Sequence, residues 1–371
     1  MINDRNSPPP PQSRVSRRWL KAAGAAICVL ALTALAACSS KAADAAKGIK
    51  APTTSASDAG TSGTSQTGSG GGGAFPGGIP LSGKTILMVI YTAPLAAWNP
   101  ALNAVKSVEA ATGVKVDIEY ANNSNQTEIS EIQSGLSRKV AAMALQITST
   151  GVANAVCAAA KTGIPVVAWN QNALTGASAS CVQATMAQNF VTAGQALGQF
   201  MISNGPLKQG AKVFCPVEDT TATYAGLRAQ GVNQALAAIG AKCDVVSVGD
   251  ADAAAQTAMV QYLLGHRSTA AVIALGGIPL ANAAAVLKRV SMTIPVGGFD
   301  VYDPRIPQGI KDGAILGVID QQFYSQAFQA AQQLALELQY GLYPSDVATG
   351  GRGVVTKTSV GPLIALSGQY R

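Results

Sequence analysis

The chain has 371 residues, of which 48% are hydrophobic and 12% charged. Its formal charge is +7, but residues 1–37 hold five Lys or Arg against one Asp, so the remainder is near +3. No basic run with interleaved aromatics is present, which leaves nucleic-acid binding without support. One histidine, His266, and no Cys-x-x-Cys spacing leave a metal site equally unsupported.

In chain order, the first segment reads as an export signal. Arg14, Arg17, Arg18 and Lys21 form a positive region, and residues 22–35 are apolar. That stretch is shorter than the roughly 20 residues a spanning helix needs, and small residues close it. Leu35-Ala36-Ala37-Cys38 resembles the lipobox of bacterial lipoproteins. The resemblance implies that Cys38 becomes the first mature residue and carries lipid, holding the protein on the outer face of the cell membrane. An ordinary signal peptide with a chance Cys is the alternative. Ser16-Arg17-Arg18-Trp19-Leu20 is similar to part of a twin-arginine export motif, with Lys21 where an apolar residue is usual, so both export routes stay open. Residues 38–82, rich in Ser, Thr, Ala and Gly, bury too little to offset their ordering entropy and are expected to form a flexible tether.

About 290 residues follow, enough for one large or two medium domains. Apolar runs predict strands over 84–92, 114–122, 141–148 and 164–170, and helical spacing predicts helices over 99–113, 126–139 and 151–163. The pattern then restarts with helices over 189–205, 224–240, 253–266 and 279–291. These alternate with strands over 211–219, 241–250, 269–277, 294–300 and 314–320, and a last helix spans 324–341. Strand and helix alternating at this rate imply βαβ units and parallel sheets, in two halves of similar layout.

Four cysteines remain beyond Cys28 and Cys38: Cys157, Cys181, Cys215 and Cys243. Outside the cytoplasm an even count suggests disulfides, and four cysteines allow three connectivities. Sequence neighbourhood favours Cys157–Cys181 and Cys215–Cys243; four reduced buried thiols are the alternative.

"GIPVVAW", "IPVGGFDVYDPRIPQGIKDGAILGVIDQQ" and the helix after it resemble the type I periplasmic binding proteins of the ribose- and galactose-binding group, over about residues 84–360. The resemblance implies an α/β fold of two Rossmann-like lobes with parallel sheets, joined by a three-strand hinge. The chain is expected to cross near 187–189, 320–322 and 345–355. Lobe 1 would comprise 84–188 plus 322–350, and lobe 2 would comprise 189–321 plus 351–371. An ABC permease and its ATPase are the implied partners, with the binding protein a monomer.

In open α/β sheets, ligands bind beyond the carboxyl ends of the strands. Residues just after the predicted strands make Trp98, Asn99, Asn170, Gln171, Asn189, Tyr224, Asp300 and Gln321 the candidate ligand contacts, with Trp169, Asn172 and Tyr302 beside them. Amides, a carboxylate and aromatic rings suit sugars and polyols, whose hydroxyls donate and accept and whose C–H faces lie on rings. The resemblance assigns Asp300, Gln321 and Asn189 to ligand-contacting positions. It also exposes departures. Asn170-Gln171 stand where sugar binders of the group often carry Asp-Arg. The usual arginine position falls near Gly226, two residues before Arg228. Gly276-Gly277 replace an Asn-Asp pair. Charged clamps for a pentose or hexose are thereby mostly missing, which points to a neutral, smaller or less hydroxylated solute. Competing roles exist for each candidate: a Trp at a strand end often packs in a core, Asp300 could cap a helix, and Gln321 could serve only as a hinge hydrogen bond.

Three classes of function compete. A DNA-binding repressor needs a headpiece where this chain has a signal and tether. An enzyme needs a base, nucleophile or metal, and neither Gly-x-Ser-x-Gly nor paired carboxylates nor any cofactor motif occurs. The remaining class is a solute receptor, feeding a transporter or, alternatively, signalling to a membrane sensor.

Overall fold

The computed structural model describes residues 78–371 except 173 and 175. The signal over 1–37, Cys28, Cys38 and the tether as far as residue 77 lie outside the described residues. Two six-stranded sheets organise the rest. The first contains β1 (Thr85–Ile90), β2 (Lys115–Tyr120), β3 (Ala142–Ile147), β4 (Val166–Asn172) and β5 (Thr185–Ala187). Its helices are α1 (Asn99–Thr112), α2 (Asn125–Ser137) and α3 (Thr150–Lys161). The chain then enters the second sheet through α4 (Phe190–Asn204), β6 (Lys212–Val217), α5 (Thr223–Leu236), β7 (Lys242–Ser247) and α6 (Asp252–Gly265). It continues with β8 (Thr269–Ala274), α7 (Gly277–Arg289), β9 (Val296–Phe299), α8 (Arg305–Asp312) and β10 (Gly317–Ile319). Helix α9 (Phe323–Tyr340) and strand β11 (Val347–Ala348) return to the first sheet, and β12 (Val354–Val355) and α10 (Gly361–Ala365) go back to the second.

Strand order is β11-β5-β4-β3-β1-β2 in one sheet and β12-β10-β9-β8-β6-β7 in the other. Every pairing is parallel except β10 with β12, where Val318 faces Val355. Parallel sheets need helices on both faces, so their strands are apolar throughout. β1 obeys this: Ile86, Met88 and Ile90 enter one core, and the alternate residues Leu87 and Val89 enter another on the opposite face. Side-chain oxygens cap three helix starts, Ser124 accepting from Thr127 N, Ser149 from Val152 N and Asn189 from Thr192 N.

This is the α/β fold expected: two Rossmann-like lobes with three crossings, from β5 to α4, from β10 to α9 and from β11 to β12. Short β5, β11, β12 and α10 were not visible as periodic runs, because two to five residues complete too little of any period. The cysteines pair as Cys157–Cys181, tying α3 to the turn before β5, and Cys215–Cys243, bridging β6 and β7, with Cα separations of 4.8 and 5.7 Å.

Candidate functional site

The carboxyl edge of the second sheet holds a buried ion pair. Arg228, on α5 and 1% exposed, forks onto Asp300 at the end of β9: Nη1 donates to Oδ2 at 3.0 Å and Nη2 to Oδ1 at 3.0 Å. Nη1 also donates to the Leu275 carbonyl at 2.6 Å and Nη2 to Gln188 Oε1 at 3.3 Å. Rings of Phe299, Phe190 and Tyr224 lie 4.4, 5.2 and 5.2 Å from the guanidinium carbon. A charge pair can persist in a low-dielectric site only when its geometry and hydrogen bonds offset desolvation, and the bidentate fork does so. The expectation that the charged clamp is missing is therefore corrected. On α5 the buried face carries Ala225, Arg228, Ala229 and Val232, so residue 228, rather than 226, turns inward.

Glu218 follows β6 and closes the same cage. Its Oε2 accepts from Tyr224 Oη at 2.9 Å and its Oε1 from Ile278 N at 2.9 Å. Burial pushes the carboxyl up from its ordinary value, and the charge of Asp300 adds to this, while the two donors oppose it. Burial also raises the phenols of Tyr224 and Tyr302, with Glu218 adding to both. Gly276 and Gly277 now have a physical reason. A Cβ on Gly276 would collide with the Glu218 carboxylate, and one on Gly277 with the Tyr302 ring. The volume that an Asn-Asp pair would fill is taken by an acid and a phenol arriving from other strands.

The crossings carry a buried amide network. Asn170 Nδ2 donates to Gln326 Oε1 at 2.9 Å and to Gln321 Oε1 at 3.4 Å. Gln326 Nε2 donates to the Gln321 carbonyl at 2.9 Å and to Thr349 Oγ1 at 2.7 Å, and Thr349 donates to the same carbonyl at 3.0 Å. Thus β4, the β10–α9 crossing and the β11–β12 crossing share one hydrogen-bonded cluster. Asn170, Asp300 and Gln322 have φ of 63°, 70° and 64°, left-handed values that side chains adopt at a cost of roughly 1–3 kcal/mol when the surroundings impose them. Gly350, at φ 68°, lies so close to the Asp320 carbonyl that a Cβ would collide with it.

Not every sequence candidate joins these groups. Trp98 is buried in the first core, edge-on to Trp169 at 5.8 Å and against Phe323 at 4.7 Å, with Nε1 donating to Thr92 Oγ1 at 2.7 Å. Trp169 is fully buried and donates to the Val89 carbonyl. Asn99 is exposed at the start of α1, and Gln171 is half-buried at the end of β4. Asn189 is exposed, and its oxygen caps α4; the amide that reaches Arg228 belongs to its buried neighbour Gln188. The residue types gave that exchange no visible signal, because two adjacent amides differ only in which way the backbone turns them. Asp300, Tyr302 and Gln321 line a cavity of about 20 Å³ between the sheets, closed from the first lobe by Ala96 and Pro100.

Lobe 1 contributes one buried acid that sequence reasoning missed. Glu128, on α2, accepts from Thr148 Oγ1 at 3.1 Å through Oε2, while its Oε1 has no partner among the described residues. Burial pushes its carboxyl up to about 8. Gln146, on β3, accepts from Tyr91 N at 3.0 Å, and its Nε2 likewise has no partner among the described residues.

The comparisons with known proteins agree with this geometry. A family model described as "Periplasmic binding protein domain" matches residues 86–341, and the chain belongs to that family. Among solved structures, it is similar to a carbohydrate transporter from Acidothermus cellulolyticus in complex with myo-inositol, at TM-score 0.68 and 23% identity over 77% of this chain and 98% of that one. It is also similar to an ABC transporter solute-binding protein from Burkholderia graminis in complex with D-arabinose, at TM-score 0.68 and 20% identity over 77% and 99% of the two chains. A glucose–galactose-binding protein from Geobacillus stearothermophilus matches at TM-score 0.67 and 18% identity over 75% and 99%. Among curated proteins, none matches.

Proposed function

We propose that this protein is a lipid-anchored, extracytoplasmic receptor that captures a small neutral polyhydroxylated solute by closing two lobes on it. The observation that carries this reading is the Arg228–Asp300 fork at the carboxyl edge of the second sheet, opposite the amide cluster of Asn170 and Gln321. A carboxylate already neutralised by a guanidinium presents hydrogen-bonding capacity without net charge, which favours hydroxyls over ions. Myo-inositol and D-arabinose, each in complex with one of the similar proteins, are neutral polyhydroxylated molecules of this kind.

The lobes are assigned as 84–188 plus 322–350 and 189–321 plus 351–371, with ligand contacts drawn from Asn170, Gln171, Tyr224, Asp300 and Gln321 and, by the correction above, Arg228. Asn99 and Asn189 complete the proposed set of contacts, while the Trp98 ring lies in the core of the first lobe. Solute binding across both lobes shifts the population toward a closed form. A monomer in that form would be recognised by an ABC permease with its ATPase. Residues 1–37 act as the export signal, Cys38 as the lipid anchor and 38–82 as the tether.

A thermal-shift screen followed by calorimetry tests the ligand class. Myo-inositol, D-arabinose or a related neutral polyol is expected to raise the melting temperature, and stabilisation only by amino acids or nucleosides overturns the proposal. Mass spectrometry of the mature protein tests the anchor; an amino terminus other than an acylated Cys38 rejects it.

A further inference from the structure

The segment 366–371 lies in the cleft that the proposed function assigns to the solute. It is rooted in the second lobe through α10, whose Leu363 is buried in that lobe's core. Beyond α10 it folds back on itself: Tyr370 N and Arg371 N both donate to the Leu366 carbonyl, and Gly368 N donates to the Arg371 carbonyl. From there it reaches the first lobe. Asn103 Nδ2, on α1, donates to the Gln369 carbonyl at 3.2 Å, and the Tyr370 ring lies 5.0 Å from that of Tyr324 on α9. Arg371 places Nε 2.9 Å from Asp320 Oδ2 at the β10–α9 crossing. Asp320 is almost wholly buried, and its Oδ1 accepts from Gln322 N.

Arg371 and Gly368 line the same cavity as Asp300, Tyr302 and Gln321. With them in place the space is about 20 Å³, room for about one water, whereas small-molecule sites usually span roughly 300–1,000 Å³. A polyol therefore cannot enter until something leaves, and among the described residues the segment reaches the first lobe through a side-chain hydrogen bond from Asn103 and a ring contact with Tyr324.

We propose that residues 366–371 are an interlobe strap, anchored in the second lobe by Arg371 on Asp320 and reaching the first lobe at Asn103 and Tyr324, so that a solute must displace the strap to bind. The strap lowers the fraction of molecules able to accept solute, and apparent affinity falls by that fraction.

The inference rests on the proposed cleft, and its test separates the two. Three mature proteins are compared: the parent, Arg371→Ala, and a chain ending at Ala365. Hydrogen–deuterium exchange without solute is expected to rise at peptides covering 95–103 and 320–324 in both variants, most in the shorter chain, while peptides from β3 and β8 keep their protection and report an intact fold. Unchanged exchange at the cleft peptides sinks the strap whatever the ligand is. Calorimetry with myo-inositol and D-arabinose is the second arm. The shorter chain is expected to bind the better of the two about tenfold more tightly than the parent. Weaker binding by the shorter chain would make the segment a wall of the site and overturn its role as a competitor. Binding of neither polyol by any of the three proteins would count against the proposed ligand class, with the exchange data still deciding the strap.

Discussion

At the carboxyl ends of β6, β8 and β9 three charged side chains, Glu218, Arg228 and Asp300, are buried among aromatic rings and paired with one another or with backbone groups. The matching ends of β1, β3 and β4 carry Thr92, Gln146 and Asn170, and their two tryptophans are turned away into the core. One edge is a preformed charged cage, and the other is an uncharged, amide-lined face. Under the proposed function, such a division would let the second lobe hold a solute in fixed geometry while the first closes over it with little desolvation cost, because buried charges are far more expensive to rearrange than amides.

The largest effect should come from breaking the cage. Arg228→Ala leaves Asp300 buried without its partner and is expected to cost about 3–5 kcal/mol in denaturant unfolding. It should abolish polyol binding, and Arg228→Lys should not restore it, since a point charge cannot fork. The counterpart on the other edge is Trp98→Ala, expected to cost a similar ~3–5 kcal/mol because the ring is core. If affinity fell while stability held, the indole would belong to the solute site and the contrast between the edges would weaken.

Next in size is the disulfide of the first lobe. Replacing Cys157 and Cys181 by Ser should cost about 2–4 kcal/mol, read as a lower denaturation midpoint. Smaller again is Gly276→Ala, which must displace the Glu218 carboxylate; about 1–3 kcal/mol of strain is expected, together with weakened binding. Unaltered stability there would mean that the glycine pair makes no room for the acid.

The last test uses pH. Glu128 has its folded value near 8, above the ordinary carboxylate range, because of burial. Between about pH 4.5 and 8 the folded protein holds a proton that the unfolded chain has released. Stability must therefore fall as pH rises through that window, by up to about 1.4 kcal/mol per pH unit for this group. Glu128→Gln should flatten the decline relative to the parent. Parallel pH profiles for the two proteins would show that Glu128 is ionised at neutral pH.

Much of this was legible in the chain. Period-two apolar runs and glycine stops located the long strands and helices within a few residues, and the residues after Phe299 and Ile319 fell on the cleft edge as strand ends must. Cys157–Cys181 and Cys215–Cys243 formed between sequence neighbours. Other parts were hidden. Arg228 stood two residues after the position at which the resemblance expects an arginine, and two residues turn a helix by about 200°. Gln188 and Asn189 traded roles at a bend. Glu128 looked like any exposed helical glutamate, since burial of one residue depends on what packs over α2.

By itself the sequence determined the layout: two α/β halves, the parallel sheets they imply, and the strand ends at which polar residues gather. Those features are local, because hydrophobic period, glycine stops and chain direction are written residue by residue. Only the tertiary structure decided which side chains meet. Arg228 and Asp300 are 72 positions apart, Asn170 and Gln326 are 156 apart, and Asn103 and Gln369 are 266 apart. Contacts of that separation depend on how crossings bring remote loops to one edge, and no periodicity along the chain encodes them.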